Sequence, residues 1–374
     1  MKKKYAGILA VLTALLFAVF LLAGCASTSV IDLNEVEGPV DVHTHPQHLF
    51  LDNENYNMIV KIAAGMYENS FPEPLVLEWT GVKKAASYNL YLSLTEDFAD
   101  PRVITSETNS AEVQNLFIGA DYWWKVEAVS KTGEILSGSE TGHFTVKNDP
   151  PRVLYIHGIT NVRDLGGWPT MDGGVIRQGL AYRTAKLNVN YSSTVLIKED
   201  GIRVMLDDMG IRTEIDLRRL DNNEAGDFTE GAPGVLGESV KYYQTPMATT
   251  KPYLQPASYE SIGRVMKIFA DESNYPLFFH CSIGTDRTGI IGFLVLGLCG
   301  VSDEYIHRDY LFSNFGAIGS GRSPIDLKAY YTAIENYEGE TTQQKIRSFL
   351  RTECGVTDAE MDSIVRILKQ DPKN

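Results

Sequence analysis

The sequence predicts an α/β domain, with a mostly parallel central sheet flanked by helices, preceded by a small all-β sandwich. Three observations carry this expectation. Strand-like and helix-like apolar runs alternate from about residue 195 to 299. One of those strand–helix junctions, His280-Cys281-Ser282-Ile283-Gly284-Thr285-Asp286-Arg287-Thr288-Gly289, has the make-up of an anion-binding loop. Upstream, between 71 and 147, apolar and polar residues alternate with period two in several short runs.

The N-terminus comes first. Met1-Lys2-Lys3-Lys4 is basic, residues 6–23 are apolar and small, and Leu22-Ala23-Gly24-Cys25 follows. This is the pattern of a secretory signal, expected over 1–24. Its ending resembles a bacterial lipoprotein box, which implies a lipidated Cys25, a membrane anchor and an extracytoplasmic protein. A transmembrane anchor is the rival, because the apolar run approaches spanning length; the small residues abutting Cys25 favour cleavage. Residues 25–70 read as a tether. Within them, Asp41-Val42-His43-Thr44-His45-Pro46-Gln47-His48 carries a His-x-His pair, but the other histidines are scattered, so it reads as a polar surface segment. No metal or other cofactor is expected.

Residues 71–147 read as the β domain. Leu75–Trp79, Tyr88–Ser93, Tyr122–Val129 and Gly142–Val146 are its alternating runs. The segment resembles a fibronectin type III domain, with Trp79 as the core tryptophan and Leu116 with Tyr122 at tyrosine-corner spacing. That resemblance implies a spacer or a docking module for a protein partner, without chemistry of its own. Asp149-Pro150-Pro151 is a linker, and 148–374 is the α/β domain. Its expected elements are helix 195–209, strand 211–217, strand 239–243, helix 258–272, strand 277–280 and helix 288–299. Three amphipathic helices follow at 303–315, 341–353 and 357–369. The glycine-rich stretch 316–327 reads as a connector or a lid.

The loop at 280–289 carries the chemistry. It leaves a buried strand and enters a helix that is apolar nearly all round. Unpaired N–H groups and the positive dipole end there favour an anion. Gly284 permits a tight bend in which successive amides form a nest. A cysteine at such a place, beside a cation, has a depressed pKa and becomes a nucleophile. Cys281 has both aids, from the nest and from Arg287, and the Thr288 hydroxyl can donate to the sulfur. Arg287 offers a planar fork that matches two phosphate oxygens. The amides of Ser282, Ile283, Gly284, Thr285, Asp286 and Arg287 complete a phosphate cradle. The implied reaction is in-line attack on phosphorus by Cys281 and hydrolysis of the cysteinyl-phosphate, without a metal.

These motifs resemble the cysteine-dependent tyrosine phosphatases, more narrowly a bacterial atypical branch. Asn161-Val162-Arg163-Asp164-Leu165-Gly166-Gly167 matches its Asn-x-Arg-Asp-Leu-Gly-Gly motif, and Asp286-Arg287-Thr288-Gly289 matches the end of its loop. Gly179–Thr184, Ile215-Asp216-Leu217-Arg218 and Asp309–Asn314 resemble further segments in the same order. The resemblance spans about residues 150–374 and implies a phosphatase fold and activity, with His280, Thr288 and Asp216 in supporting positions. It also implies a Lys before the loop Asp that suits highly phosphorylated lipids; Thr285 stands there instead.

A general acid has to protonate the leaving oxygen. No Asp or Glu occurs between Glu238 and Glu260, where related enzymes carry one. Asp286 is the replacement candidate, set against a loop-shaping salt bridge; Asp227 and Asp216 are reserves. Arg163 and Asp164 read as a scaffold ion pair.

Composition bounds the partners. The chain has 374 residues and a net charge of −14, and loses three lysines with residues 1–24 to reach −17. That balance opposes nucleic acid as a partner. It leaves a phosphorylated protein as the expected substrate, with a phosphoinositide or inositol phosphate as the rival and a non-catalytic phospho-ligand-binding surface protein as the lesser one. With Cys25 acylated, Cys281, Cys299 and Cys354 remain, too few for a disulfide framework.

Overall fold

The structure is a computed structural model and describes residues 30–189, 195–219 and 234–372. The signal segment 1–24, Cys25 and the reserve acid Asp227 lie outside the described residues. The chain forms two compact units. One comprises the described residues up to Val36, Leu77–Ala111 and Tyr122–His143; the other comprises Glu37–Val76, Glu112–Asp121 and the chain from Phe144 onward.

Within 71–147 the regular elements are strands. They are β1 (Leu75–Glu78), β2 (Ser87–Ser93), β3 (Arg102–Ser106), β4 (Ser110–Val113), β5 (Asp121–Val129), β6 (Ile135–Gly138) and β7 (Gly142–Thr145). One sheet runs β3-β2-β5-β6, with β7 also on β5, and β1 pairs with β4. Alternation decides the inward face. Tyr122, Trp124, Val126 and Ala128 of β5 are buried, and Leu90 and Leu92 of β2 stand opposite Val126 and Trp124. Trp79 is buried.

The second unit holds the α/β fold. Its first helices are α1 (His45–Leu51) and α2 (Ile59–Ile62). They correct the tether expected over 25–70: Phe50, Ile59 and Ala63 belong to the main core. Their apolar residues are too few and too short-ranged to show a helical period. Strands β8 (Arg163–Asp164), β9 (Val175–Ile176) and β10 (Ala181–Thr184) come next, then α3 (Glu199–Arg203), β11 (Thr213–Asp216), β12 (Lys241–Gln244), α4 (Pro256–Ala270) and β13 (Leu277–His280). The order in the sheet is β12-β11-β13-β10-β8. Pairs β12–β11, β11–β13 and β13–β10 are parallel, and only β8 runs antiparallel, against β10. The expected mostly parallel sheet is therefore present.

Strand β13 is central and wholly buried. Leu277 and Phe279 enter the main core, while Phe278 enters a second core with Ile156, Leu187 and Met205 on the other face. A strand covered on both faces has no polar side, hence the continuous apolar run. Helix α5 (Asp286–Leu298) follows it and is buried along its whole length. The close of the chain is α6 (Asp303–Phe312), α7 (Pro324–Ile334), α8 (Thr342–Glu353), α9 (Asp358–Leu368) and the short β14 (Lys369–Gln370). Capping boxes at Thr341/Gln344 and Thr357/Glu360 start α8 and α9. Helix α7 corrects the connector reading of 316–327. Ser323 caps it together with Asp326, and Pro324 is its first residue, a start signal that the preceding glycines obscure. Among the described residues no helix is long and apolar enough to cross a membrane.

Candidate active site

The loop 281–285 lies between the carboxyl end of β13 and the N-terminus of α5, where open α/β sheets bind ligands. Cys281 sits at its base and is 2% exposed. Burial alone opposes ionisation of its thiol. Together the charge of Arg287, the Thr288 hydroxyl and the amides of Thr288 and Ile283 outweigh that burial, so the thiol titrates below the ordinary cysteine range. The Thr288 hydroxyl is fully buried and has no other hydrogen-bond partner among the described residues. Cys299 and Cys354 differ: burial pushes each up to about 12, so they stay protonated. All three are free thiols.

Side chains from three distant segments shape the loop by taking its carbonyls. Asn161 Nδ2 donates to the Ile283 carbonyl at 3.0 Å. Arg183 Nη2 donates to the carbonyls of Gly284 at 3.0 Å and Thr285 at 3.4 Å. In a trans peptide the C=O of one residue and the N–H of the next point in opposite directions. With those carbonyls tied back, the amides of Gly284, Thr285 and Asp286 point away from Asn161 and Arg183, and form a nest. Gly284 has φ of +71°, and a Cβ there would meet the Thr184 carbonyl oxygen at 2.4 Å. Only glycine fits.

Asn161 and Arg183 are held in turn by a buried frame. Arg163 donates to Asn161 Oδ1 at 2.5 Å and, through Nε, to Asp309 Oδ1 at 3.0 Å. Arg183 pairs with the other Asp309 oxygen. Burial would raise the Asp309 carboxyl, but the two guanidiniums hold it low. Burial and the neighbouring Arg183 bring Arg163 down to about 10, still charged at neutral pH. Arg163 and Asp164 do not pair with each other, contrary to expectation. Successive residues of a strand face opposite ways: Arg163 turns to Asp309, and Asp164 turns to Arg152 at 3.0 Å while accepting the amides of Gly166 and Gly179.

Beneath the nucleophile lies a second constellation. His280 Nδ1 is 3.1 Å from the Cys281 carbonyl oxygen and Nε2 is 3.0 Å from Glu214 Oε1. Burial disfavours its charged form, yet Asp216 and Glu214 raise its pKa above the usual value. Asp216 is fully buried, forked by Arg218 Nε and Nη2 and bonded by the Tyr242 hydroxyl at 2.9 Å. His280 and Arg218 overcome its burial and hold it at about 2. A carboxylate so engaged cannot serve as the reserve acid; its place is support. Sequence reasoning missed Glu214, which has no motif beyond a charge in a buried strand.

Asp286 opens α5 and is 7% exposed. Arg322 forks it, Nε to Oδ1 at 2.9 Å and Nη2 to Oδ2 at 2.8 Å. Tyr310 Oη adds a bond at 3.2 Å. Arg322 also ties itself to Ser320. Sequence reasoning missed Arg322 as well, although it closes the glycine-rich stretch. Arg287 donates to the Leu217 carbonyl at 3.2 Å and reaches Ser282 Oγ at 3.5 Å. Thr285 is fully buried, and its hydroxyl is engaged by Asn161 at 3.3 Å, so that position offers only its backbone.

A low-pKa thiol at the floor of an oxyanion nest, with an arginine at the helix start, defines a cysteine-type phosphatase. The chain belongs to the tyrosine phosphatase family, whose model matches residues 154–370. A Cupriavidus necator protein named as a candidate tyrosine-protein phosphatase is 28% identical over 174 residues, which is 42% of this chain and 61% of that protein's length. Among solved structures, the Siw14 catalytic core shares 15% identity over 49% of this chain and 92% of its own, with a TM-score of 0.31. The core catalytic domain of the PP-IP phosphatase SIW14 from S. cerevisiae, with citrate, shares 15% over 49% and 93%, with a TM-score of 0.32. A structure titled FN3tt mut shares 20% over 31% and 97%, with a TM-score of 0.17.

Proposed function

We propose that the protein is a tyrosine phosphatase that hydrolyses phosphate monoesters of proteins, phosphotyrosine first and phosphoserine or phosphothreonine second. The observation that supports it best is the Cys281 thiol, held below its ordinary range under a loop whose carbonyls are tied back. Cys281 Sγ attacks phosphorus in line; the P–S bond forms as the bond to the leaving oxygen breaks. The Gly284, Thr285 and Asp286 amides and the Arg287 fork bear the charge on the equatorial oxygens. Asp286, once freed from Arg322 and protonated by water, gives that proton to the leaving oxygen and later takes one from the attacking water as the P–S bond breaks.

Arg322 complicates that role, because its fork occupies both Asp286 oxygens. The incoming phosphate dianion competes for the same guanidinium, and Arg322 moves to the substrate as Asp286 is released. Lys251, a further cation that could serve a second phosphate, is paired with Asp326, and Arg322 is taken up by the first. With Thr285 turned inward, this favours a monoester over an inositol polyphosphate. The lipidated Cys25, the extracytoplasmic location, the fibronectin-like character of the β domain and its protein partner belong to the same proposal. They rest on sequence pattern.

A substrate panel tests the reading. Phosphotyrosine peptides should turn over faster than phosphoinositides or inositol phosphates; the reverse order overturns the substrate class. Cys281→Ser should abolish turnover while phosphate still binds. Asp286→Asn should slow a poor aryl leaving group by about 10²-fold or more and a good one much less. Equal slowing moves the acid elsewhere.

A further inference from the structure

The His-x-His segment is not the polar surface strip that its sequence suggests. His43 is 5% exposed and Gln47 fully buried. Asp41, His43 and His48 each bring one donor atom within 4.8 Å of the other two. We propose that these three side chains bind one divalent transition-metal ion of the zinc class, separate from the phosphatase chemistry.

Orientation of the two imidazoles carries the argument. Metal-bound histidines present one ring nitrogen to the ion and donate the other N–H to a carbonyl or a carboxylate. His43 Nε2 stands 2.9 Å from the Pro151 carbonyl oxygen. A carbonyl only accepts, so Nε2 carries the proton and Nδ1 keeps its lone pair. His48 has a carboxylate on each side: Asp41 Oδ2 at 2.8 Å from Nε2, and Asp52 Oδ2 at 3.4 Å from Nδ1, one helical turn on. Asp52 is therefore placed to take the N–H when Nε2 turns to an ion.

Two imidazoles and one carboxylate select a borderline ion such as Zn²⁺ over hard Ca²⁺ or Mg²⁺. Three protein ligands leave the fourth tetrahedral position to water. Donors about 2.0–2.2 Å from one ion lie roughly 3.3–3.5 Å apart, so His48 Nε2 and Asp41 Oδ2, now 2.8 Å apart, move slightly apart on binding. His48 also lines a cavity of about 520 Å³ with Asp52, Asp149 and Glu304.

Lys147 gives the proposal a sharp signature. Its Nζ lies 2.6 Å from Asp41 Oδ2 and its side chain is 44% exposed. It fills the place of the ion while the site is free, then swings into solvent when the ion enters. The proton shared by His48 Nε2 and Asp41 moves to Nδ1, against Asp52. Bound metal then clips residues 41–48 to Pro151, at the start of the phosphatase fold.

The test uses the full chain in a Cys281→Ser background, so that the catalytic thiolate cannot supply the ligand. After stripping with a chelator, Zn²⁺ is added during calorimetry and thermal melting. One equivalent should bind, and Tm should rise with Zn²⁺ concentration. Asp41→Asn and His48→Gln should each lose that uptake, while Lys147→Met should bind Zn²⁺ several-fold more tightly. Co²⁺, which needs no further variant, should give the intense visible bands of a four-coordinate ion. Failure of stoichiometric uptake, uptake indifferent to both ligand variants, weaker binding in Lys147→Met, or a six-coordinate Co²⁺ spectrum would each overturn the site.

Discussion

Two sets of arginine–carboxylate contacts hold the nucleophile loop, and they differ in what they grip and how dry they are. Arg163, Arg183 and Asp309 have side chains at most 2% exposed, and through Arg183 and Asn161 they grip backbone carbonyls. The side chains of Arg322 and Asp286 are 12% and 10% exposed, and their contact grips one side chain. A dry ion pair has no water to replace a lost partner, so it is rigid and costly to break. A pair at the edge of solvent exchanges partners at smaller cost. The first set therefore preorganises the amides, while the second is able to yield to a substrate.

The largest expected effect comes from breaking the dry set. Asp309→Ala leaves two buried guanidiniums without a counter-ion, a loss of about 3–5 kcal/mol. Chemical denaturation checks it. Asp309→Asn keeps the shape and removes the charge; it should still lose phosphate binding, because Arg183 no longer stays on the Gly284 and Thr285 carbonyls. Stability within about 1 kcal/mol of the parent, with normal phosphate binding, would remove the frame from the mechanism.

Arg322→Ala should behave in the opposite way. Its stability change should be smaller than that of Asp309→Ala, because this pair keeps some access to water. KM should rise about tenfold, the worth of one charge-assisted contact to phosphate. Dependence on the leaving group should stay that of the parent, since Asp286 remains. A variant that instead copies Asp286→Asn in its leaving-group pattern would make Arg322 a positioning residue for the acid rather than a phosphate ligand.

The same contrast explains what was legible in the sequence. Cys281, Gly284, Arg287 and Thr288 are contiguous, and their roles follow from one strand–loop–helix junction, so local rules suffice. Asn161, Arg163, Arg183 and Asp309 were visible as motif members, but their partners lie far away in sequence, 146 residues between Arg163 and Asp309. Spacing therefore suggested the neighbour Asp164 instead. Glu214 and Arg322 carry no local signal, because one is a charge inside a buried strand and the other ends a glycine-rich run. The parallel sheet was readable from its alternating elements. Helices α1 and α2 were not, because a helix of four to seven residues shows no period.

The smallest effect probes the thiol itself, which stands between the two sets. Thr288→Val keeps the volume and removes the hydroxyl that favours the sulfur anion. With that contribution gone, burial counts for more and the Cys281 pKa moves up. Only the thiolate reacts with iodoacetamide, so the rate of alkylation rises as pH passes through that pKa. The rising limb of the parent should fall below that of free cysteine, and the Thr288→Val limb should shift toward higher pH. The acidic limb of kcat/KM should follow in the same direction, with the activity loss larger at pH 5.5 than at pH 7.5. Arg322→Ala should leave the alkylation limb nearly in place, because Arg287 rather than Arg322 is the cation that acts on the sulfur. If Arg322→Ala moved that limb as far as Thr288→Val does, the yielding pair would also be part of what ionises the nucleophile, and the division between a fixed set and an exchangeable one would fail.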